Sequence, residues 1–119
     1  MEPDRAFTIQ TIQLIADLDA QVQYKRDVPI ADVPSELVCS WFDDVYHPEY
    51  EKYCAAFTQE ELDVLSEFNA FYDERVNKLP DTLEEMHDNY EWSQIVLKAK
   101  WVLAKLNWKD INAVPTYNS

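Results

Sequence analysis

The stretch YEWSQIVLKAKWVLAKL, residues 90–106, decides the fold of this chain. Its apolar side chains recur every three or four residues, which is the period of an α-helix. One helical face holds Trp92, Ile95, Val96, Ala99, Val102, Leu103 and Leu106. A second face beside it holds Leu97, Trp101, Ala104 and Trp108. A helix that is apolar on most of its circumference is normally buried, so we expect this one at the centre of a helical bundle.

The rest of the bundle follows from periodicity and capping residues upstream. We expect helices over residues 8–24, 35–46 and 58–79, a turn or two over residues 49–56, and a short helix opened by Thr82 and Glu85. The apolar face of the first helix is expected to hold Ile9, Ile12, Ile15 (or Ala16), Leu18 and Val22. The start at Thr58 is the sharpest, because Thr58 and Glu61 form a T-x-x-E capping box between Phe57 and Leu62, the residues of a hydrophobic staple.

Composition supports the same fold class. The chain has 119 residues, 47% of them hydrophobic, and it contains no glycine. Tight β-hairpins and phosphate-binding loops need positive φ angles, which glycine adopts most readily. We therefore predict an all-α, single-domain bundle of four to five helices over residues 1–109, with a buried C-terminal helix. Residues 110–119 are expected to form a loose tail.

The charge of the chain is strongly negative and unevenly distributed. The net charge is −13, and residues 27–92 hold 18 acids and three bases, whereas residues 93–119 hold one acid and four bases. Such a field repels nucleic acid and anionic membranes, and it accelerates encounter with a basic partner. We therefore expect a protein partner with a basic surface, no nucleic acid and no membrane. The alternative is that the acids only keep the protein soluble.

The sequence also bears on location and on the cysteines. Residues 1–4 are acidic and no long apolar run follows them, so we expect no signal peptide. No apolar run approaches the ~20 residues that span a bilayer. These features favour the cytoplasm. Cys39 and Cys54 lack metal-ligand spacing and are expected to be buried free thiols, with a disulfide left open.

Catalytic and metal-binding patterns are weak. Nucleophilic catalysis needs a nucleophile, a base and a group that orients the base, and no motif supplies that set. Asp44-x-x-His47 and Glu84-x-x-His87 each place a carboxylate and an imidazole three residues apart, as in di-iron helical bundles. One motif has Asp instead of Glu, and its histidine precedes Pro48. We therefore predict no enzyme, cofactor or metal, and keep a metal-binding bundle as an alternative.

The helix predicted from Thr58 carries a row of acids that folding does not explain. The row consists of Glu60, Asp63, Glu67 and Glu74. Like charges at this spacing destabilise an isolated helix by about 0.2–0.5 kcal/mol per pair. An acid in the first turn suits the helix dipole, which accounts for Glu60 but not for Glu67 or Glu74. We predict that this row contacts a partner; a merely solvated surface is the alternative.

A segment just upstream combines acids with aromatic rings. Its predicted contact residues are Asp43, Asp44, Tyr46 and Tyr50, and Tyr53 is also expected to be partly exposed. Tyrosine is enriched at binding hot spots, and acids steer and pair with Lys or Arg on a partner. These four residues complete the predicted partner-binding set.

The stretch FTQEEL, residues 57–62, running on to Pro80 and followed by a tryptophan-bearing helix, resembles the small acidic immunity proteins of bacterial toxin systems. These include proteins of contact-dependent inhibition and polymorphic toxin loci. The nuclease-colicin immunity proteins are similar in style, but their paired tyrosines before proline are missing here. The resemblance implies a protein that binds and neutralises one cognate toxin. A phage-type nucleic-acid mimic and a regulatory adaptor are the alternatives.

Overall fold

Residues 2–108 are described by a computed structural model, and they form α-helices and no β-strand. The helices are α1 (Pro3–Ile15), α2 (Leu18–Asp27), α3 (Val33–Cys39), α4 (Glu51–Cys54), α5 (Gln59–Arg75), α6 (Leu83–His87) and α7 (Tyr90–Lys105). A π-helical segment, Ser40–Val45, continues α3, and a 3₁₀ turn, Val76–Lys78, follows α5. The prediction of an all-α bundle is confirmed, although the described part holds seven α-helices instead of four to five. The expected tail, residues 110–119, lies outside the described residues.

The helix expected over residues 8–24 is two helices. Asp17 interrupts it with an extended backbone (φ −123°, ψ 98°), and its side chain accepts a hydrogen bond from the Ala20 N–H at 3.0 Å. Asp32 caps α3 in the same way, accepting from the Ser35 N–H at 3.3 Å. Aspartate is a strong N-cap because its carboxylate satisfies a free amide of the first turn. At Asp17 this preference overrides the apolar period, so Leu18 and Val22 are exposed instead of buried.

The core forms around α7, which packs against α5 and α1. The predicted buried face is confirmed for Trp92, Ile95, Val96, Ala99, Val102 and Leu103. The second predicted face is mostly wrong: Trp108 is buried, but Trp101 is half-buried and Leu97 and Ala104 are exposed. That side of α7 faces solvent at Leu97 and Ala104, whereas Trp101 packs partly against the core. No helix among residues 2–108 is long and apolar enough to cross a membrane.

The C-terminal end of α7 shows how a chain without glycine ends a helix. Asn107 adopts a left-handed conformation with φ 59°. The Trp108 N–H then donates to the Leu103 carbonyl at 2.8 Å, and the Asn107 N–H donates to the Ala104 carbonyl at 3.3 Å. This is the Schellman pattern, in which asparagine can replace the usual glycine. It turns Trp108 back into the core.

A buried glutamine joins four helices. Gln21 is fully buried, and its Nε2 donates to the carbonyls of Leu14 and Ile15 at 2.9 and 3.0 Å. Those carbonyls lie in the last turn of α1, where intrahelical donors are missing. Its Oε1 accepts from Trp92 Nε1 at 3.3 Å and lies 2.9 Å from His87 Nε2. Since Gln21 presents its oxygen, His87 donates through Nε2, and every polar atom of the Gln21 side chain is paired.

The same network predicts a pH dependence of stability. Burial lowers the pKa of His87, and the opposing charge of Asp88 does not restore it. As the pH falls, His87 of the unfolded chain therefore binds a proton near the ordinary pKa of 6.5, whereas His87 of the folded chain does so only at a lower pH. The stabilisation is complete above pH 6.5 and is lost as the pH falls from that value through the lower folded-state pKa. We expect the melting temperature to drop as the pH falls below 6.5, and His87→Gln to reduce that drop; an equal drop in both proteins would contradict the assignment.

Candidate protein-binding surface

The acidic row predicted from the sequence lies on the exposed side of α5. We call Glu60, Asp63, Glu67 and Glu74 the acidic stripe, and all four side chains are exposed. Because successive residues of an α-helix advance by about 100°, the four fall within an arc of about 60°. The side of α5 that faces the core is buried through Val64, Leu65, Phe68 and Tyr72. The stripe therefore projects from a helix that the core holds in place.

The predicted capping box fixes the start of this helix. Thr58 Oγ1 accepts from the Glu61 N–H at 3.1 Å, and Glu61 Oε1 accepts from the Thr58 N–H at 2.8 Å. Both orphan amides are thus satisfied, as the box requires. The helix ends at Arg75 and passes into the 3₁₀ turn, a few residues before the predicted end at residue 79.

Basic side chains neutralise only part of the stripe. Glu67 pairs with Lys98 of α7 at 2.5 Å, and Glu74 pairs with Arg75 at 3.1 Å. Asp63 accepts a hydrogen bond from the neutral Gln59 at 2.9 Å. Within residues 2–108, neither Asp63 nor Glu60 forms an ion pair. The stripe consequently keeps an excess of negative charge facing solvent.

The two cations beside the stripe also stack on aromatic rings. The Arg75 guanidinium lies 3.6 Å from the centre of the Phe71 ring, and Lys98 Nζ lies 3.8 Å from the centre of the Trp101 ring. Such contacts are attractive because the faces of aromatic rings are electronegative. Arg75 Nε also lies 3.5 Å from Glu91 Oε1 of α7. Both cations therefore tie α5 to α7 and keep the stripe beside α7.

Asp43 and Asp44 of the predicted upstream group lie on a π-helical segment instead of the expected α-helix; Tyr46 follows that segment, and Tyr50 precedes α4. The Tyr46 N–H donates to the Trp41 carbonyl at 3.0 Å, a five-residue separation typical of a π-helix. Asp43 and Asp44 are exposed, and Tyr50 is 59% exposed. Tyr46 is half-buried, stacked on Trp41 with ring centres 4.8 Å apart, and burial raises its pKa. Tyr46 is therefore only partly accessible to a partner.

Tyr53 does not belong to this surface, contrary to expectation. It is 2% exposed, and its hydroxyl lies 2.9 Å from Thr8 Oγ1 in the core. Burial raises the pKa of Tyr53 well above its usual value. The ring is structural because α4 turns it inward against α1.

The two predicted groups lie on opposite edges of the exposed side of α5. Trp41 Nε1 donates to Asn69 Oδ1 at 3.0 Å, whereas Glu67 faces Lys98 of α7. At about 100° per residue, Glu67 and Asn69 are about 160° apart around the helix. A partner that touches both the stripe and the Tyr46 turn must therefore span the width of α5.

Glu61, which adjoins the stripe in sequence, is a structural residue. It is 8% exposed and pairs with Arg5 through two hydrogen bonds, Nη1 to Oε1 at 2.6 Å and Nη2 to Oε2 at 2.7 Å. Arg5 and Glu61 are 56 residues apart, so local sequence pattern gives no signal for the pair. Only the second role of Glu61, in the capping box, was predictable.

The metal alternative finds no support in the geometry. His47 Nδ1 lies 3.2 Å from Glu49, and His87 Nε2 lies 2.9 Å from Gln21. Among residues 2–108, no group of three or more His, Cys, Asp or Glu side chains is placed to hold a metal ion. Cys39 and Cys54 are free thiols, but Cys39 is exposed and Cys54 half-exposed, so their expected burial is wrong.

A groove that the sequence did not reveal lies between the α2–α3 connection and α6. It measures about 730 Å³, with Lys25 and Arg26 along one rim and Asp81 and Glu84 along the other. Because the rim carries both signs of charge, it does not select a ligand of either charge. The acidic stripe remains the surface with a definite electrostatic preference.

Comparison with known proteins provides no relative: no protein-family model, curated protein or solved structure matches this chain.

Proposed function

We propose that this protein is an acidic protein-binding module that acts as an immunity protein. It binds a cognate toxin with a basic, nuclease-like surface and neutralises it in the cytoplasm of the producing cell. The acidic stripe carries this proposal: it is a row of four exposed acids, of which, within residues 2–108, only Glu67 and Glu74 have basic partners. The resemblance of residues 57–80 to small acidic immunity proteins supports it.

Electrostatics explain why such a stripe suits a nuclease-like partner. A protein that binds nucleic acid presents Lys and Arg to the phosphates, and carboxylates pair with the same groups, often through two parallel hydrogen bonds to Arg. From Glu60 to Glu74 the stripe spans about 21 Å of helix. It can therefore contact several cations at once. The charge of the whole chain, −13, accelerates encounter.

Inhibition on this proposal requires no chemistry from the protein itself. Bound to the basic surface, the module excludes the substrate of the toxin, either by covering the active site or by occupying the surface beside it. Asp43, Asp44, Tyr46 and Tyr50 add contacts across α5, where the exposed ring of Tyr50 supplies apolar area. No metal, cofactor or nucleic acid takes part.

Gene order and growth rescue test the proposal together. We expect the gene to lie directly after a large toxin gene whose last domain arrests growth when it is expressed alone. Co-expression of this protein should restore growth, and reversal of the stripe (Glu60, Asp63, Glu67 and Glu74 to Lys) should abolish the rescue. Failure of the wild-type protein to rescue growth would contradict the proposal. Capture of a host enzyme in place of a toxin would favour a regulatory adaptor.

A further inference from the structure

Apolar side chains line the groove between the α2–α3 connection and α6. They belong to Val22, Ile30, Val33, Pro34 and Leu83. Val33 and Pro34 are buried, whereas Val22 is 37% exposed and Ile30 is 96% exposed. The groove therefore offers apolar area to a side chain of another molecule, and its border carries an apolar side chain that projects into solvent.

Ile30 projects from a turn that hydrogen bonds hold in shape. The Ala31 N–H donates to the Val28 carbonyl at 2.9 Å, which closes the turn. Lys25 Nζ donates to the carbonyls of Pro29 and Ala31 at 2.8 and 2.9 Å. A single exposed apolar residue needs no explanation by itself. This one, however, lies at the edge of an apolar groove, on a turn whose order lowers the entropy cost of binding.

The two rims of the groove carry opposite charges that the chain does not pair. Arg26 is exposed and donates, at 3.4 Å, to a neutral glutamine side chain. Asp81 and Glu84 on the other rim are exposed as well, and within residues 2–108 none of these three forms an ion pair. The remaining charged groups of the first rim are used internally: Lys25 binds the turn, and Asp32 caps α3. Arg26, Asp81 and Glu84 are therefore the charges available to another molecule.

A second copy of this chain fits all of these features at once. In a two-fold dimer the interface is isologous, so that if one residue contacts another across it, the reverse contact is also made. A two-fold axis parallel to the groove places the Arg26 rim of each copy against the acidic rim of the other. The same rotation places each Ile30 over the groove of the other copy. One chain thus supplies both the projecting side chain and the surface that receives it.

The overall charge limits the strength of such a dimer. Each copy carries a net charge of −13, which opposes self-association. At about 0.15 M salt the Debye length is about 8 Å, so that distant acids are largely screened while ion pairs in contact are screened much less. The contact between the rims therefore decides the outcome at this salt concentration.

We infer that the groove is the interface of a weak two-fold homodimer, in which Ile30 of each copy packs into the groove of the other and Arg26 pairs with Glu84 across the interface. This goes beyond the proposed function, since it requires no toxin. Of the residues that line the groove, none belongs to the acidic stripe.

Sedimentation equilibrium of the full chain at about 0.15 M salt tests the inference. The wild type should form dimers as its concentration rises. Ile30→Asp should raise the dissociation constant of the dimer at least about tenfold, because it places a charge in the apolar contact. Leu97→Asp makes the same change at a residue of α7 that is 56% exposed, and it should leave dimerisation unchanged.

A pair of charge variants tests the register of the two copies. Arg26→Glu gives two acidic rims and Glu84→Arg makes the other rim more basic, so each variant alone should dimerise at least about tenfold more weakly than the wild type. Mixed together, the two variants should form heterodimers, because each altered rim then faces the opposite charge. If Glu84→Arg lowers the melting temperature, Asp81→Arg replaces it in the mixture.

Several results would overturn the inference. These are a wild type that stays monomeric up to about 1 mM, a dimer that Leu97→Asp dissociates and Ile30→Asp does not, and charge variants that remain monomeric when mixed. A monomeric chain whose groove residues show NMR chemical-shift changes on addition of the toxin would assign the groove to that partner instead. Because sedimentation uses only this chain, its result is independent of growth rescue.

Discussion

Replacing Glu61 with alanine is expected to lower the free energy of unfolding by about 3 kcal/mol. Removing one partner of a buried ion pair costs about 3–5 kcal/mol because the remaining charge is left uncompensated. The low end of this range applies here because the Arg5 side chain is still 27% exposed to solvent. Arg5 Nη1 also donates to the Ala56 carbonyl at 3.2 Å, and the guanidinium lies 5.5 Å from the centre of the Trp108 ring. The pair thus joins the start of α1, the start of α5 and the end of α7.

Urea denaturation of matched variants measures this effect. Glu60 is the adjacent acid of the same first turn, but it is exposed, so Glu60→Ala should change the free energy of unfolding by less than about 0.5 kcal/mol. Similar losses in the two variants would show that Glu61 acts only as a first-turn acid.

The pH dependence of the Glu61 contribution has a definite sign. Burial alone would raise the pKa of Glu61, but hydrogen bonds from Arg5 and Thr58, together with the charge of Arg5, outweigh burial and lower it below its ordinary value of 4.5. A carboxyl group with a lowered pKa stabilises the fold fully above its ordinary value, and this stabilisation is lost as pH falls through the folded-state pKa. Below pH 4.5 the wild type should therefore lose stability more steeply than Glu61→Gln.

Reversing the acidic stripe to four lysines is expected to weaken toxin binding by at least about a hundredfold. Close charge pairs across protein interfaces show coupling energies of about 1.5 kcal/mol or more, and reversal replaces each attraction with repulsion. Affinity for the purified toxin domain, measured by isothermal titration calorimetry, gives the loss directly.

A control variant separates contact from overall charge. Asp19, Asp27, Asp81 and Glu84 are exposed acids that lie outside α5, on α2 or at the start of α6. Their reversal to lysine changes the net charge by the same amount but should weaken binding only a few-fold, since salt screens charges beyond about 10 Å. Equal losses of affinity in the two variants would mean that the overall negative charge of the protein, and not the acidic stripe, determines toxin binding. Circular dichroism checks that the stripe-reversed and control variants both fold. If one of them does not fold, a variant with Gln in place of each Glu and Asn in place of each Asp at the same positions replaces it.

Local signals made part of this structure predictable. The capping box at Thr58 involves neighbours in sequence, so α5 could be recognised before its packing was known. The buried face of α7 was predictable because apolar residues spaced three or four apart lie on one face of an α-helix. The split at Asp17 was not predicted, because the apolar period continues through it while the backbone follows the stronger capping preference.

Long-range pairing accounts for what the sequence did not reveal. Arg5 pairs with Glu61, and Gln21 is buried at the junction of α1, α2, α6 and α7. Both arrangements depend on residues far apart in the chain. The second apolar face of α7 raises a different difficulty. Leu97 and Trp101 would have the same character whether they packed in the core or faced a partner, since both environments remove apolar area from water. Only the packed structure separates the two cases.

The salt dependence of toxin binding tests the central claim most directly. The dissociation constant of the wild-type complex is measured from low to high salt, about 0.05 to 0.5 M, beside that of the stripe-reversed variant. If the acidic stripe docks on a basic surface, wild-type affinity falls steadily as salt increases, and reversal of the stripe removes most of that dependence. A wild-type affinity that does not change with salt, or one that the reversed variant matches throughout, would contradict this account.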